Sequence, residues 1–445
     1  MNILIAGAGA VGRHLANLLG LENHDITLMD ENKERLTNIS ENSDIMKFEG
    51  KPTSIKDLTD ISADKADLFI AVTPEESTNI NACMLASRLG AKKTVARINN
   101  YEYLLPKNMS FFEELGINSL IYPEIMAARE IEMAIRTPWT RFWWDICNGM
   151  IVLLGAKIRN NAPIANKHLY DINQENKQFH IVAIKRGNDT IIPSGNDKIL
   201  NNDIVYITTL RKYLNNLPEL LGKKSFETKR LMFMGGSEIT VRTIKQLPSN
   251  IDIKVIERDR DVAKMLVETL PSNVTVFVED ARNAEFLERE GIAETDAFLA
   301  LTGNSEANIL GCMMAKEYGV KKTVAEVENI DYIAMAERLD IGTVINKKLI
   351  TASKIYELLL KADASNIKSL TFADANVGEV TAQPNSKITK RLIKDLKLPD
   401  DITLGALIRD GKPILIDGNT KIEPNDKVVV FFLNRSLKKI EMLFN

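Results

Sequence analysis

Met1-Asn2-Ile3-Leu4-Ile5-Ala6-Gly7-Ala8-Gly9-Ala10-Val11-Gly12 joins a short apolar run to the spacing G-x-G-x-x-G. Such a run, ending in closely spaced glycines, reads as a β-strand turning into a helix. Gly7 permits the tight turn, Gly9 lets backbone approach a pyrophosphate, and Gly12 lets the helix pack closely on the strand. The amides of residues 8–12 and the positive end of the helix then face an anion. The same frame returns 228 residues later as Leu231-Met232-Phe233-Met234-Gly235-Gly236-Ser237-Glu238-Ile239-Thr240. There Gly9 has become Ser237 and Gly12 has become Thr240.

The duplication extends outward from the turns. Asp67-Leu68-Phe69-Ile70-Ala71-Val72-Thr73 matches Asp296-Ala297-Phe298-Leu299-Ala300-Leu301-Thr302, Asn79 matches Asn308, and Lys92-Lys93-Thr94-Val95-Ala96 matches Lys321-Lys322-Thr323-Val324-Ala325. A second repeat follows each of these segments. Gly195-Asn196-Asp197-Lys198-Ile199-Leu200-Asn201-Asn202-Asp203 matches Gly418-Asn419-Thr420-Lys421-Ile422-Glu423-Pro424-Asn425-Asp426. Hairpin signals, Arg186-Gly187-Asn188-Asp189 and Asp410-Gly411-Lys412-Pro413, precede them. The order is therefore A1-B1-A2-B2.

Short apolar strands alternating with helical patterns make each A unit a Rossmann-like, doubly wound parallel sheet, and each B unit a small α+β domain. In A1 the strands fall near residues 2–6, 25–29, 44–48, 67–72, 93–97 and 118–121. The expected domains are 1–122 (A1), 123–144 (crossover helix and linker), 145–215 (B1), 216–228 (linker), 229–347 (A2), 348–364 (crossover helix) and 365–445 (B2). Pro123 and Glu124 favour helix initiation up to Arg136. Trp139, Trp143 and Trp144 follow; they suit either packing at a lobe junction or a partner contact. Gly222-Lys223-Lys224-Ser225 reads as the polar linker between halves.

With 445 residues, the chain holds about three or four domains of roughly 100–200 residues each. Its 57 basic and 60 acidic residues give no bulk field for nucleic acid. Cys83, Cys147 and Cys312 have no C-x-x-C spacing and imply a reducing compartment without a disulfide framework. Cys83 and Cys312 occupy matching places and read as buried packing residues. No run approaches the ~18 apolar residues needed to cross a bilayer, and the opening apolar run reads as a strand rather than a signal peptide. Any membrane role passes through a partner.

Around the first turn, Asp30 stands where a second-strand acid accepts hydrogen bonds from ribose hydroxyls and disfavours a 2′-phosphate, so NAD is expected over NADP. It also suits a helix N-cap. Val72 and Thr73 end the fourth strand and should line the crevice at the carboxyl edge of the sheet. Arg97 suits a charge-assisted bond to phosphate or a surface salt bridge. His14 and His24 lack metal-ligand spacing and read as solvated or helix-surface residues.

These residues resemble the regulator-of-potassium-conductance domains, also called potassium-transport nucleotide-binding domains. The tandem order looks like the peripheral regulatory subunit of the Trk potassium uptake system, and the resemblance covers essentially the whole chain. Its marks are Gly7 to Gly12, Asp30, Ala71-Val72-Thr73 with Asn79, Ala96-Arg97 and the Gly-Asn-x-Lys-Ile-x-x-Asn-Asp turn of both B units. The resemblance implies binding of NAD(H), with ATP or ADP as alternatives, and no catalytic or metal-ligating residues. It implies a homo-oligomeric ring, dimeric or tetrameric, beneath an integral-membrane potassium-translocating subunit. The location implied is cytoplasmic, peripheral on the inner face of the plasma membrane. Where the family often has Gly-Asp-Ala after the third strand, the copies read Gly50-Lys51-Pro52 and Glu279-Asp280-Ala281, placing Lys51, Pro52 and Asp280 near a nucleotide.

In the second copy the corresponding positions are Gly235, Gly236, Ser237, Glu238, Ile239, Glu257, Asp280, Leu301 and Thr302. Glu238 replaces Ala10 and Glu326 replaces Arg97. Carboxylates ~4–6 Å from a diphosphate repel it by roughly a kcal/mol or more each at an effective dielectric near ~20. The second turn is therefore expected to bind phosphates poorly. An alternative is that Glu238, Glu257, Asp280 and Glu326 form a cation site. A nucleotide-sensing regulatory subunit is the reading favoured; the alternatives are an NAD-dependent dehydrogenase, for which His168 and His180 offer no partner by spacing, and a purely structural adaptor.

Overall fold

The computed structural model describes residues 1–20, 24–37, 45–175, 177–187, 189–359, 364–369, 375–433 and 437–444. The chain divides into two compact units, Met1–Glu124 with Lys347–Lys368, and Ile125–Asn346 with Ser369–Asn445.

The first unit is built on six parallel strands: β1 (Asn2–Ala6), β2 (Asp25–Asp30), β3 (Ile45–Glu49), β4 (Leu68–Ala71), β5 (Thr94–Arg97) and β6 (Ser119–Ile121). Their order is β3-β2-β1-β4-β5-β6, so the chain reverses direction across the sheet between β1 and β4. That reversal opens a crevice at the carboxyl ends of β1 and β4. β1 and β4 are buried almost throughout, as strands covered on both faces must be. The helix Ala10–Gly20 buries Val11, Leu15, Ala16 and Leu19, one face at helical spacing. Against it packs the helix Lys347–Leu359. Its first residue places Nζ 3.7 Å from Glu124. The sequence showed a crossover helix in this stretch, but helical periodicity does not reveal which sheet a helix covers.

Residue 44 and the residue Asn188 of the first hairpin signal lie outside the described residues. The remaining strands of A1 fall within a residue or two of the expected positions.

The second unit contains three sheets. The first has β7 (Phe142–Ile146), β8 (Ile151–Lys157), β9 (Phe179–Arg186), β10 (Asp189–Ile191) and β11 (Ile204–Leu210), all antiparallel in the order β10-β9-β11-β8-β7. The second has six parallel strands, β12 (Arg230–Met234), β13 (Asp252–Glu257), β14 (Val274–Val278), β15 (Ala297–Ala300), β16 (Lys322–Glu326) and β17 (Thr343–Ile345). Its order, β14-β13-β12-β15-β16-β17, repeats that of the first unit. β18 (Ala364–Ser369) spans the boundary between units. The third sheet carries β19 (Ala375–Thr381), β20 (Ile402–Arg409), β21 (Lys412–Leu415) and β22 (Lys427–Leu433), in the run β19-β22-β20-β21.

Both predicted hairpins form. Arg186 pairs with Asp189 and Arg409 with Lys412, each across a two-residue turn. Asp410 and Gly411 both have positive φ, 49° and 74°, as a type I′ turn requires. The repeated B-unit motif closes each lobe. Asp203 accepts two bonds from Arg186 at 3.0 and 2.8 Å and one from the Leu200 amide. Asp426 accepts the same pair from Arg409 at 3.0 and 2.7 Å and one from Glu423. The two small lobes meet within the unit, where a Cβ on Gly405 would stand 2.7 Å from Thr208 Oγ1.

Trp139 and Trp143 pack on the core of the first small lobe, where Leu217 and Leu221 are also buried. Cys83 and Cys312 are fully buried, each thiol 3.4 Å from the matching carbonyl, Val95 or Val324. Burial raises both thiols well above their ordinary range.

Candidate nucleotide-binding site

Gly7 leaves β1 with φ of 110°, a conformation that disfavours any side chain. A Cβ there would stand 3.0 Å from the Thr73 amide, so the turn runs tightly against the end of β4. A Cβ on Gly12 would collide with the Gly7 carbonyl oxygen. Gly9 differs: nothing lies within 4 Å of its Cβ position. The first and third glycines are thus demanded by the protein itself, whereas the second borders open space. Among the described residues, no side chain accepts from the amides of Gly9 to Gly12.

Asp30 ends β2 and is only 7% exposed. Its Oδ2 accepts from the Ala8 amide at 2.7 Å and its Oδ1 from the Asn32 amide at 2.9 Å. The carboxylate therefore holds the glycine turn against the next loop, beyond the ribose contact expected of it. Arg35 lies 3.7 Å away and Arg13 donates to the Ala8 carbonyl at 2.8 Å. Neither arginine was singled out from the sequence. Arg13 follows Gly12 directly, so its place on the helix that opens from the turn is the signal that could have found it.

Asn79 joins the strand ends. Its Oδ1 accepts from the Thr73 amide and hydroxyl at 2.9 and 2.7 Å. Its Nδ2 donates to the carbonyls of Thr73 and Arg97 at 3.0 and 2.9 Å. Thr73 and Arg97 are thereby fixed at neighbouring strand ends beside the turn. Val72 is buried beneath. Arg97 Nε is buried without a hydrogen-bond partner among the described residues. A buried donor left unpaired is costly, and a phosphate oxygen would satisfy it. On the next strand, Gly50 donates to the Asp30 carbonyl, Lys51 donates its amide to Asp57 Oδ2, and Pro52 is buried. Ala8 and Val11 are buried as well, so each can offer a ligand only backbone. His14 is half-buried rather than solvated, and burial lowers its pKa.

The second turn keeps the scaffold and closes the opening. Gly235 has φ of 98°, and Glu257 accepts from the Gly236 and Asp259 amides at 2.7 and 2.8 Å, as Asp30 does in the first copy. Asn308 repeats the Asn79 clamp on Thr302 and the Glu326 carbonyl. Ser237 caps its own helix, its Oγ accepting from the Thr240 amide at 3.5 Å. Thr240 Oγ1 donates to the Gly235 carbonyl at 2.7 Å, filling the place kept empty by Gly12. Val262 and Leu266, on the helix Arg260–Thr269, crowd the Cβ position of Gly236. Ile239 and Leu301 are core residues, and Glu326 is buried.

Of the two carboxylates expected to repel a diphosphate, Glu326 is buried and Glu238 is not bare. Glu238 bonds Arg242 one helical turn on, at 2.7 Å. Asp280 is also paired: its bond from Arg282 holds its carboxyl down to about 2. The four-carboxylate cation cluster does not assemble among the described residues. Glu238, Glu257 and Asp280 already have their own donors, so the second turn is closed mainly by its cap and by apolar crowding.

The small-lobe histidines lie apart from both turns in sequence. His168 Nδ1 lies 2.8 Å from the Asn196 carbonyl oxygen, and burial lowers the pKa of His180 in β9. No helix of the described residues is long and apolar enough to cross a membrane.

The TrkA-N domain model matches residues 3–123 and 231–347, and the TrkA-C domain model matches 153–222 and 377–445. The Trk system potassium uptake protein TrkA of Vibrio alginolyticus is 31% identical, covering 100% of this chain and 98% of its own. That of Haemophilus influenzae is also 31% identical at the same coverage. A homolog from Archaeoglobus fulgidus is 28% identical and covers 100% of both chains. Among solved structures, the GsuK RCK domain aligns over 100% of this chain and 94% of its own, with TM-score 0.60 and 16% identity. The GsuK channel bound to NAD aligns over 100% and 78%, with TM-score 0.58 and 15% identity. At these identities the structural likeness speaks to fold.

Proposed function

Since this chain belongs to the TrkA family, with paired TrkA-N and TrkA-C domains along its length, we propose that it is a nucleotide-sensing regulatory subunit of a Trk-type potassium uptake system. The observation that carries the reading is the open first turn. Unclaimed amides of Gly9 to Gly12, empty space at Gly9 and the orphaned Nε of Arg97 together support a diphosphate as the ligand there. The residues present fit a dinucleotide. Asp30 would face a ribose, Val72 and Thr73 would line the crevice, and Lys51 and Pro52 would border the adenosine side.

NAD(H) is the ligand proposed, because the carboxylate of Asp30 disfavours a 2′-phosphate by its charge; ATP or ADP is the alternative. Known GsuK structures carrying NAD and ADP support both nucleotide classes for this fold. Binding without turnover suffices: a ligand that prefers one arrangement of the subunit shifts its population, with typical couplings of ~1–3 kcal/mol. The partner proposed is an integral-membrane potassium-translocating subunit, bound by a homo-oligomeric ring on the cytoplasmic face of the membrane. The domain boundaries proposed are those set out from the sequence.

The test is potassium flux through the reconstituted pair with NADH, NAD⁺, ATP and ADP added in turn. Asp30→Ala and Arg97→Ala are expected to move the response to about tenfold higher nucleotide concentration or more while leaving basal flux measurable. An unchanged response in both variants sinks the sensor reading. Sustained NADH oxidation with a metabolite would instead favour a dehydrogenase.

A further inference from the structure

A second charged cluster lies inside the second unit, remote in sequence from either glycine turn. Asp340 follows the helix Ile333–Arg338 with a φ of 59°, which turns its carboxylate into a ring of cations. Arg141 bonds Oδ1 and Arg159 bonds Oδ2, while Arg141 Nη1 also donates to the Gly342 carbonyl at 3.0 Å and Arg159 Nη1 to Asn202 Oδ1 at 2.6 Å. Lys157 Nζ lies 3.5 Å from Oδ1 and Lys316 Nζ 3.3 Å from Oδ2. Lys223 stands within the same electrostatic neighbourhood, beside Arg141, Arg159 and Lys157. The other nearby acid is Glu337, whose carbonyl also accepts from Lys157 at 3.4 Å. Among the described residues, Arg141, Lys157, Arg159, Lys223 and Lys316 thus gather around Asp340 and Glu337, with positive charge in excess.

Part of the excess is poorly solvated. Side-chain exposure is 12% for Arg141 and 8% for Lys157, against 39% for Arg159 and 35% for Lys316. Burial lowers the pKa of Arg141, and burial with the charge of Arg141 lowers that of Lys157. Lys223, half-buried in what the sequence presented as a polar linker, is pushed down to about 8, first by burial and then by Arg141 and Arg159. Its ammonium makes no hydrogen bond or ion pair among the described residues. Burial works to raise Asp340, but Arg141, Lys316, Lys157 and Arg159 outweigh it and hold the carboxyl far below its usual range. Anchoring one carboxylate needs one or two cations. Gathering five in a partly desolvated place is unfavourable unless a counter-anion completes it.

We propose that the Asp340 cluster binds the diphosphate group of a small phosphorylated ligand, with the more exposed Arg159 and the unpaired Lys223 as its principal donors. Bonds from guanidinium or ammonium groups to phosphate oxygens are charge-assisted, and a diphosphate carries charge of the required size. The ligand would bridge the first small lobe, which supplies Lys157 and Arg159, to the second parallel sheet's helices, which supply Lys316 and Asp340. It would therefore act on the packing of those two lobes, independently of the first glycine turn.

The experiment is calorimetric titration of the full chain with inorganic pyrophosphate, in a Gly12→Val background that blocks the first turn by collision with the Gly7 carbonyl. Saturable binding is expected, weakened about tenfold or more by Lys223→Gln or Arg159→Gln. Asp340→Asn keeps the left-handed backbone, which Asn tolerates, and removes the competing negative charge; it is expected to tighten binding. A purely structural salt-bridge cluster predicts no such gain. The proposal is overturned by absence of saturable binding, by indifference to both Lys223→Gln and Arg159→Gln, or by a binding signal that disappears with Arg97→Ala. Should Asp340→Asn fail to fold, the two cation variants still decide.

Discussion

The two glycine turns share a scaffold and differ at their mouths. Each has a positive-φ glycine leaving the first strand, an acid that ties the turn to the second strand, and an asparagine that clamps two strand ends. In the first copy the helix start faces open space. In the second, Ser237 caps the helix, Thr240 fills the gap under it, and Val262 and Leu266 crowd the turn. Duplication preserved the parts that hold the sheet together. The parts that would admit a diphosphate persisted in only one copy.

The sharpest way to break this comparison is to transplant a side chain beneath the first helix. Gly12→Val collides with the Gly7 carbonyl and is expected to weaken NADH affinity about a hundredfold or more, equivalent to about 3 kcal/mol. Thr240→Gly should cost about 1–2 kcal/mol of stability through a lost bond and lower helix propensity, with nucleotide affinity unchanged. Fluorescence titration and urea unfolding measure the two effects; equal losses of affinity would erase the distinction between copies.

The shared clamp offers a symmetrical test. Asn79→Ala and Asn308→Ala each strand several bonded groups at strand ends and should each destabilise by about 2–3 kcal/mol. Urea midpoints that shift for one copy alone would show that the clamps are not equivalent. Asp30→Ala should weaken NADH binding about tenfold, through loss of both the ribose contact and the support for the turn. Glu257→Ala should leave that affinity where it was.

A lysine repeated in both copies separates them by pH. Lys93 is exposed, whereas its counterpart Lys322 is buried and donates to the Thr140 carbonyl and Thr343 Oγ1. Burial, with the charge of Arg141 behind it, brings Lys322 down to about 7. The unfolded chain keeps this lysine protonated to a far higher pH, so between about 7 and 10 it binds more protons than the folded one. Stability from this group must therefore rise with pH across that window. Denaturant midpoints measured from pH 7 to 9 should show the rise, and Lys322→Met should flatten it. Lys93→Met should leave the slope intact.

The smallest expected effect concerns Glu238. Its ion pair with Arg242 is partly exposed and contributes about 0.3–0.5 kcal/mol. Glu238→Ala should therefore not open the second turn to nucleotide, because the serine cap and the apolar crowding remain. Appearance of a second NADH site in this variant would restore charge repulsion as the cause of closure.

Much of the fold was legible because its signals are local. Strand periodicity, glycine spacing and two-residue hairpin turns depend on neighbours in sequence, and the strands of A1 fell close to their expected places. The repeat made the two halves corroborate one another. The pairing of Asp203 with Arg186 and of Asp426 with Arg409 was less visible, since no periodicity joins residues 17 apart across a lobe.

The sequence by itself determined the A1-B1-A2-B2 order, the two parallel sheets and the one intact phosphate turn, because backbone conformation at glycines and side-chain alternation are short-range constraints. Only the tertiary structure decided that Lys347–Leu359 covers the first unit, that Glu238 and Asp280 are already paired, and that cations from residues 141 to 316 surround Asp340. Burial and electrostatic fields sum over groups brought together by the fold, and no local pattern in the chain encodes that sum.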